Sequence, residues 1–218
     1  MHHMPRTIVC FGDSLTAGFQ SPSRANPEGR ATPYGETLQE RLGPRACVRT
    51  AGICGELTGE MVLRLTADAL RYRPTVVVIL GGTNDLGWNA TPAEIMGNLA
   101  LLYGRTVGAE AIPVAVTVPS IRIEDLGQSP DASAYMAEHV DRRDRLNRLI
   151  RAYAARTSIP CFDLFEATLE PGNRMLAAAY CNDGLHFSTA GYRRFGTELY
   201  EQIFAPRLAQ WFPVTDAP

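Results

Sequence analysis

No apolar run in the chain approaches the roughly 20 residues needed to cross a bilayer, which argues against a membrane-spanning helix. Net charge is nearly absent as well, because 21 basic and 23 acidic side chains leave −2 and a pI near 6.1. The signs are mixed along the chain, so there is no electrostatic footprint for nucleic acid or an anionic membrane. Even "DRRDRLNR" (141–148) alternates in sign and reads as a solvated helix face. Cysteine is sparse: the five residues Cys10, Cys47, Cys54, Cys161 and Cys181 are odd in number and lack metal-type spacing. They read as buried free thiols, which favours a reducing compartment. A signal peptide is missing too, since "MHHM" runs straight into "PRTIVCFG". The expected location is therefore the cytoplasm, unless a leader was removed; His2 and His3 look like a cloning remnant, with Met4 as the natural start. Without internal repeats, low-complexity segments or linkers, residues 1–218 read as one domain, residues 1–4 being cloning-derived or disordered.

What is present is alternation. Short β-rich runs occur at 7–11, 46–50, 75–80, 112–118 and 159–164, nearly continuous in hydrophobicity, as expected of strands covered on both faces. Helical patterns lie between and after them, at about 33–42, 56–72, 91–107, 134–157 and 188–211. Such a chain predicts a parallel sheet with helices on both sides, in one of a few doubly wound orders. Ligands of these sheets bind beyond the carboxyl ends of the strands, so the residues after each strand carry the functional information. They read "GDS", "AGICGE" and "GGTND" after the first three. The fourth is followed by residues 119–135, too long for a simple connector and expected to form a lid or pocket wall.

Ser14, in "VCFGDSLTAGF" (9–19), stands directly behind the first strand. A serine there can cap a helix, and it can also act as a nucleophile, because a helix N-terminus offers free N–H groups to a developing oxyanion. This is not the Gly-x-Ser-x-Gly elbow, because Thr16 replaces the second glycine. A reactive serine needs a base held in one tautomer by a third group. Of four histidines, His139 falls in a charged amphipathic helix and reads as solvated, whereas His186 lies in "CNDGLHFST" (181–189), three residues after Asp183. That spacing fits a capped turn as well as a carboxylate–imidazole pair. Gly52 can bring a backbone N–H close to a ligand, and Asn84 can offer a side-chain amide; each could equally be an ordinary loop residue. No second histidine cluster or carboxylate array supplies ligands for a metal. A flavodoxin-like phosphate binder would share the topology, but no G-x-x-x-x-G-K-[ST] loop occurs.

Together, "FGDSLTAG" (11–18), "AGICGE" (51–56), "GGTNDL" (81–86) and "DGLH" (183–186) resemble, in order, the blocks of the SGNH hydrolases, also called GDSL esterases and lipases. The resemblance implies a three-layer α/β/α sandwich around a five-stranded parallel sheet, and no cofactor. It implies Ser14 as nucleophile, His186 as base, Asp183 as its orienter, and Ser14 N–H, Gly52 and Asn84 as oxyanion donors. Many members carry Asn two residues before the block-two glycine; here Thr50 stands there, able to shape the loop by a hydrogen bond. Asp13 and Asp85 read as structural residues that fix their loops. The expected partner is a small-molecule ester with a short or medium acyl group, since no long apolar stretch suggests a fatty-acid tunnel. Longer-chain lysophospholipids or thioesters and a non-catalytic binding role are the alternatives. Phe19, Ile53, Trp88, Leu185, Phe187 and the 119–135 segment are the candidate pocket residues.

Overall fold

The computed structural model describes residues 6–122 and 130–213. Its five strands, β1 (Arg6–Gly12), β2 (Ala46–Gly52), β3 (Val76–Leu80), β4 (Ile112–Val116) and β5 (Cys161–Phe162), form one parallel sheet in the order β2-β1-β3-β4-β5. Side chains of a strand alternate between faces, and the two cores divide accordingly. Ile8, Cys10, Val76, Val78, Leu80, Val114 and Val116 pack on one side, against α2 (Tyr34–Leu42) and α8 (Thr189–Leu199). Val9, Phe11, Val77, Ile79 and Ala115 pack on the other, against α3 (Thr58–Asp68), α5 (Pro92–Gly108) and α6 (Pro130–Thr157). This is the expected three-layer sandwich.

Helix ends follow local chemistry. Thr91 caps α5 by accepting from Glu94 N–H, and Pro92 occupies the first turn, where no N–H is needed. The single helix expected over 188–211 is instead α8, a π-turn (Tyr200–Phe204), a 3₁₀ turn (Ala205–Arg207) and a short final helix (Leu208–Trp211). Pro206 is the physical reason: it has no N–H to donate and its ring crowds the preceding turn. Arg207 Nη1 donates to the carbonyl of Ile203 at 3.0 Å within the disturbed turn. The expected strand 159–164 also shortens, because Asp163 turns the chain and caps a short helix, Leu164–Thr168.

The expected solvated face at 141–148 is corrected by the structure. Arg143 is 1% exposed and Asn147 fully buried. Beyond β4 the chain leaves the sheet while still buried, and its backbone groups need partners. Asn147 supplies them, accepting from Val118 N–H at 2.8 Å and donating to Val118 C=O at 2.9 Å, while Arg143 Nη1 donates to Pro119 C=O at 2.8 Å. Replacing Asn147 by Ala strands both polar groups of Val118, so Asn147→Ala is expected to cost about 2–4 kcal/mol in urea denaturation.

Candidate functional site

Two strands diverge to opposite sides of β1, and the site sits at this switch point. At the end of β1, Asp13 caps the one-turn helix α1 (Ser14–Ala17), its Oδ1 accepting from Leu15 N–H at 2.9 Å. Ser14 is thereby fixed as the first helical residue, 4% exposed. Its Oγ lies 3.0 Å from His186 Nε2, and His186 Nδ1 lies 2.9 Å from Asp183 Oδ2. Asp183 Oδ1 accepts from the backbone N–H groups of His186 and Leu185, so the carboxylate and the imidazole share one tight turn. Gly184 makes that turn possible, with φ +94° and its α-carbon against the carbonyl of Arg122, where a β-carbon would stand 2.6 Å from the oxygen. Phe19 packs edge-on to the His186 ring, centroids 4.7 Å apart.

Sequence reasoning missed Ser21. Its hydroxyl donates to Asp183 Oδ2 at 2.6 Å, the same oxygen that faces His186. Asn182 fastens the two segments by accepting from Ser21 N–H and donating to Ser21 C=O. Burial raises the Asp183 pKa, but the hydrogen bonds from Ser21, from the His186 backbone and ring, and from Leu185 outweigh it and hold the carboxyl at about 2. Asp183 is therefore ionised throughout the neutral range and stands as an acceptor beside His186 Nδ1.

The expected oxyanion donors line the same rim. Gly52 ends β2 beside α1, so close that a β-carbon would lie 2.3 Å from Ala17 N and 2.7 Å from the Asp13 carbonyl oxygen. Asn84 belongs to α4 (Thr83–Gly87), and one of its two amide hydrogens is donated to Glu56 C=O at 2.9 Å. The second hydrogen is available to a ligand. Arg64 and Glu56 organise this rim and were not foreseen. The Arg64 guanidinium forms a two-point pair with Glu56 and donates to the carbonyls of Gly12 and Ala51. The glutamate of "AGICGE" was the available signal. Asp85 accepts from Thr58 N–H and Oγ, holding the start of α3, in keeping with its structural reading. Thr50 makes no hydrogen bond through its hydroxyl to any described residue; the expected loop-shaping bond is absent.

A cavity of about 420 Å³ opens beside Asn84 and Asp183, lined also by Trp88, Ile121, Leu185, His139 and Arg143. Of the candidate pocket residues, Trp88 and Leu185 line this cavity. Phe187 does not: it is wholly buried against Tyr192 and Phe195, because successive residues of this extended segment point to opposite sides and His186 faces the site. Ile53 lines a separate, smaller hollow with Arg49, Thr50 and Tyr72. His139, read as solvated, is buried on the cavity wall, one turn before Arg143 on the inward stripe of α6. Of the 119–135 segment, Ile121 contributes to the wall, residues 123–129 lie outside the described residues, and α6 begins at Pro130. Among the described residues, no group of three or more His, Cys, Asp or Glu could hold a metal ion, and no helix is long and apolar enough to cross a membrane. None of the five cysteines forms a disulfide; Cys10 is buried, but Cys54 is exposed, contrary to its expected burial.

The profile of the GDSL-like lipase/acylhydrolase family matches residues 10–194, so the chain belongs to that family. Among solved structures, the lipase/acylhydrolase from Enterococcus faecalis is 27% identical, with 91% of this chain and 95% of that one covered and a TM-score of 0.71. The aryl esterase of M. smegmatis is 22% identical (91% and 98% covered, TM-score 0.70). Est24, a carbohydrate acetylesterase from Sinorhizobium meliloti, is 20% identical (92% and 99% covered, TM-score 0.71). These last two likenesses establish the fold alone. None of the curated proteins matches the chain in sequence.

Two predictions follow from the geometry. Ser21→Ala removes a hydrogen bond to a charged group and is expected to lower esterase kcat/KM on the order of 10-fold, with the thermal midpoint little changed; Ser21→Thr should recover most of the loss. The second concerns Asp13, which is fully buried with Oδ2 unpartnered. Burial, opposed by the Leu15 N–H and reinforced by Asp85, pushes its carboxyl from 3.8 up to about 7. The folded state therefore holds this proton more tightly than the unfolded state, and Asp13's contribution to stability is lost as pH rises from about 4 to about 7. Asp13→Asn cannot titrate, so its stability relative to the wild type should rise across that window, as read by thermal denaturation at each pH.

Proposed function

We propose that the chain is a serine carboxylic-ester hydrolase that works through an acyl-enzyme. The observation that supports this reading is the unbroken line Ser14 Oγ–His186 Nε2, His186 Nδ1–Asp183 Oδ2 at the carboxyl edge of the sheet. His186 takes the Ser14 proton as Oγ attacks the ester carbonyl. Negative charge develops on the carbonyl oxygen and is met by Ser14 N–H, Gly52 N–H and the second Asn84 amide hydrogen, donors fixed before the reaction starts. His186, now an imidazolium stabilised by the ionised Asp183, protonates the leaving alcohol. Water then enters, His186 removes its proton, and the same sequence releases the acid and regenerates Ser14.

The substrate reading is an ester with a short or medium acyl group. The cavity wall near Asn84 combines Trp88, Ile121 and Leu185 with polar groups, and it suits a small ligand rather than a long chain. Two structural neighbours bear the names aryl esterase and carbohydrate acetylesterase, which accords with small esters. Rates on chromogenic esters from acetyl to palmitoyl should peak at the short end; a maximum at palmitoyl would overturn the substrate reading.

Ser14→Ala is expected to lower turnover on the order of 10⁴- to 10⁶-fold with the fold intact by circular dichroism. A fluorophosphonate probe should label one equivalent of wild-type protein at Ser14 and none of the variant. Folded wild-type protein that neither labels nor turns over would count for a binding role instead.

A further inference from the structure

Arg143 is a buried cation that the proposed mechanism does not use. It is 1% exposed and lines the cavity that also borders Asn84 and Asp183. A guanidinium carries five N–H donors. Nη1 donates to Pro119 C=O at 2.8 Å and reaches Thr83 Oγ1 only at 3.5 Å. Nε is buried with no partner, and Nη2 makes no hydrogen bond to any described residue. Among the described residues, no carboxylate lies within ion-pair distance of it; the one whose charge acts on it is Asp13, itself buried and with its carboxyl pushed up to about 7. Bracing Pro119 takes one neutral donor, and Asp13, with its carboxyl pKa at about 7, supplies only part of a counter-charge without touching the guanidinium; a buried positive charge is costly where it is not fully paired. Nε and Nη2 form the edge of the planar group that grips a carboxylate through two parallel hydrogen bonds. His139, one turn earlier on α6, extends the same wall; burial and the neighbouring Arg143 and Arg142 push its pKa down to about 4, so it is neutral near pH 7 and adds no charge there.

We propose that Arg143 is a specificity-determining residue that pairs with a carboxylate carried by the ester substrate, seated in this cavity while the ester carbonyl lies at Ser14. The proposal rests on the hydrolase reading above and narrows its substrate class to anionic esters. The carboxylate can sit on the acyl or the alcohol side of the scissile bond, and the test separates the two.

Two matched pairs of esters serve: the monophenyl ester of glutaric acid against phenyl 5-methylhexanoate, and 4-acetoxybenzoate against 4-isopropylphenyl acetate. Each kcat/KM is corrected for the rate without enzyme and normalised to hydroxide hydrolysis. The wild type is expected to favour the carboxylate member of one pair by 10-fold or more, which identifies the side. Arg143→Met should bring that ratio to about 1, and Arg143→Lys should retain part of it. Because both members of a pair are measured on one variant, a general loss of active protein cancels from the ratio. If Arg143→Met does not fold, the wild-type ratio and Arg143→Lys decide. Preference for the neutral member in both pairs overturns the proposal, as does a ratio unaltered in whichever variant folds. If Ser14-dependent hydrolysis of the neutral esters persists in that case, the hydrolase reading stands without it; no Ser14-dependent hydrolysis of any of the four esters removes both.

Discussion

One guanidinium holds the reacting edge of the sheet together. Arg64 comes from α3, outside the strands, and takes the terminal carbonyls of both β1 and β2. Its charge is balanced by Glu56, whose own carbonyl receives the Asn84 amide. A single buried pair therefore connects the end of the nucleophile's strand, the end of the Gly52 strand and the asparagine of α4. Removing Arg64 would leave the Glu56 carboxylate uncompensated in a place with little water, a loss of about 3–5 kcal/mol, whereas Arg64 without Glu56 would still have Asp68.

The other half of the site is built differently. His186 and Asp183 sit on a turn, not on the sheet, and they are positioned by the segment after α1. Ser21 and Asn182 exchange backbone-to-side-chain hydrogen bonds, and Gln20 reaches both Thr32 and Thr189. The Gly52 and Asn84 side is thus held by the sheet and a buried ion pair, while the His186 side is held by hydrogen bonds between two loops. Preorganisation of charge-stabilising donors needs the stiffer of the two supports.

Much of this was legible in the sequence, for identifiable reasons. Strands buried on both faces declare themselves as continuous apolar runs; Ser14, Gly52 and Asn84 stand in short blocks at or just beyond their ends, and Asp183 and His186 in a block of their own before α8. What stayed hidden were polar residues whose partners are remote in sequence. Asn147 and Arg143 look like part of a charged helix face until the chain beyond β4 is placed against them with unpaired backbone groups. Ser21 lies in a loop of Ser, Pro and Asn, and nothing local marks one hydroxyl as belonging to Asp183, 162 residues away. Phe187 was misplaced through adjacency: next to His186 in sequence, it faces the opposite side of the chain. Pro206 alone gave a local sign that the final helix would not run straight.

The contact between Ser14 and His186 spans 172 residues. A chain made from its N-terminus presents the nucleophile with the first strand, and every element of the sheet is complete before the base appears. Until then the hydroxyl has no proton acceptor and is no more reactive than any other serine. Under the proposed function, hydrolytic competence would thus arise during synthesis only once His186 is made, after all five strands of the sheet.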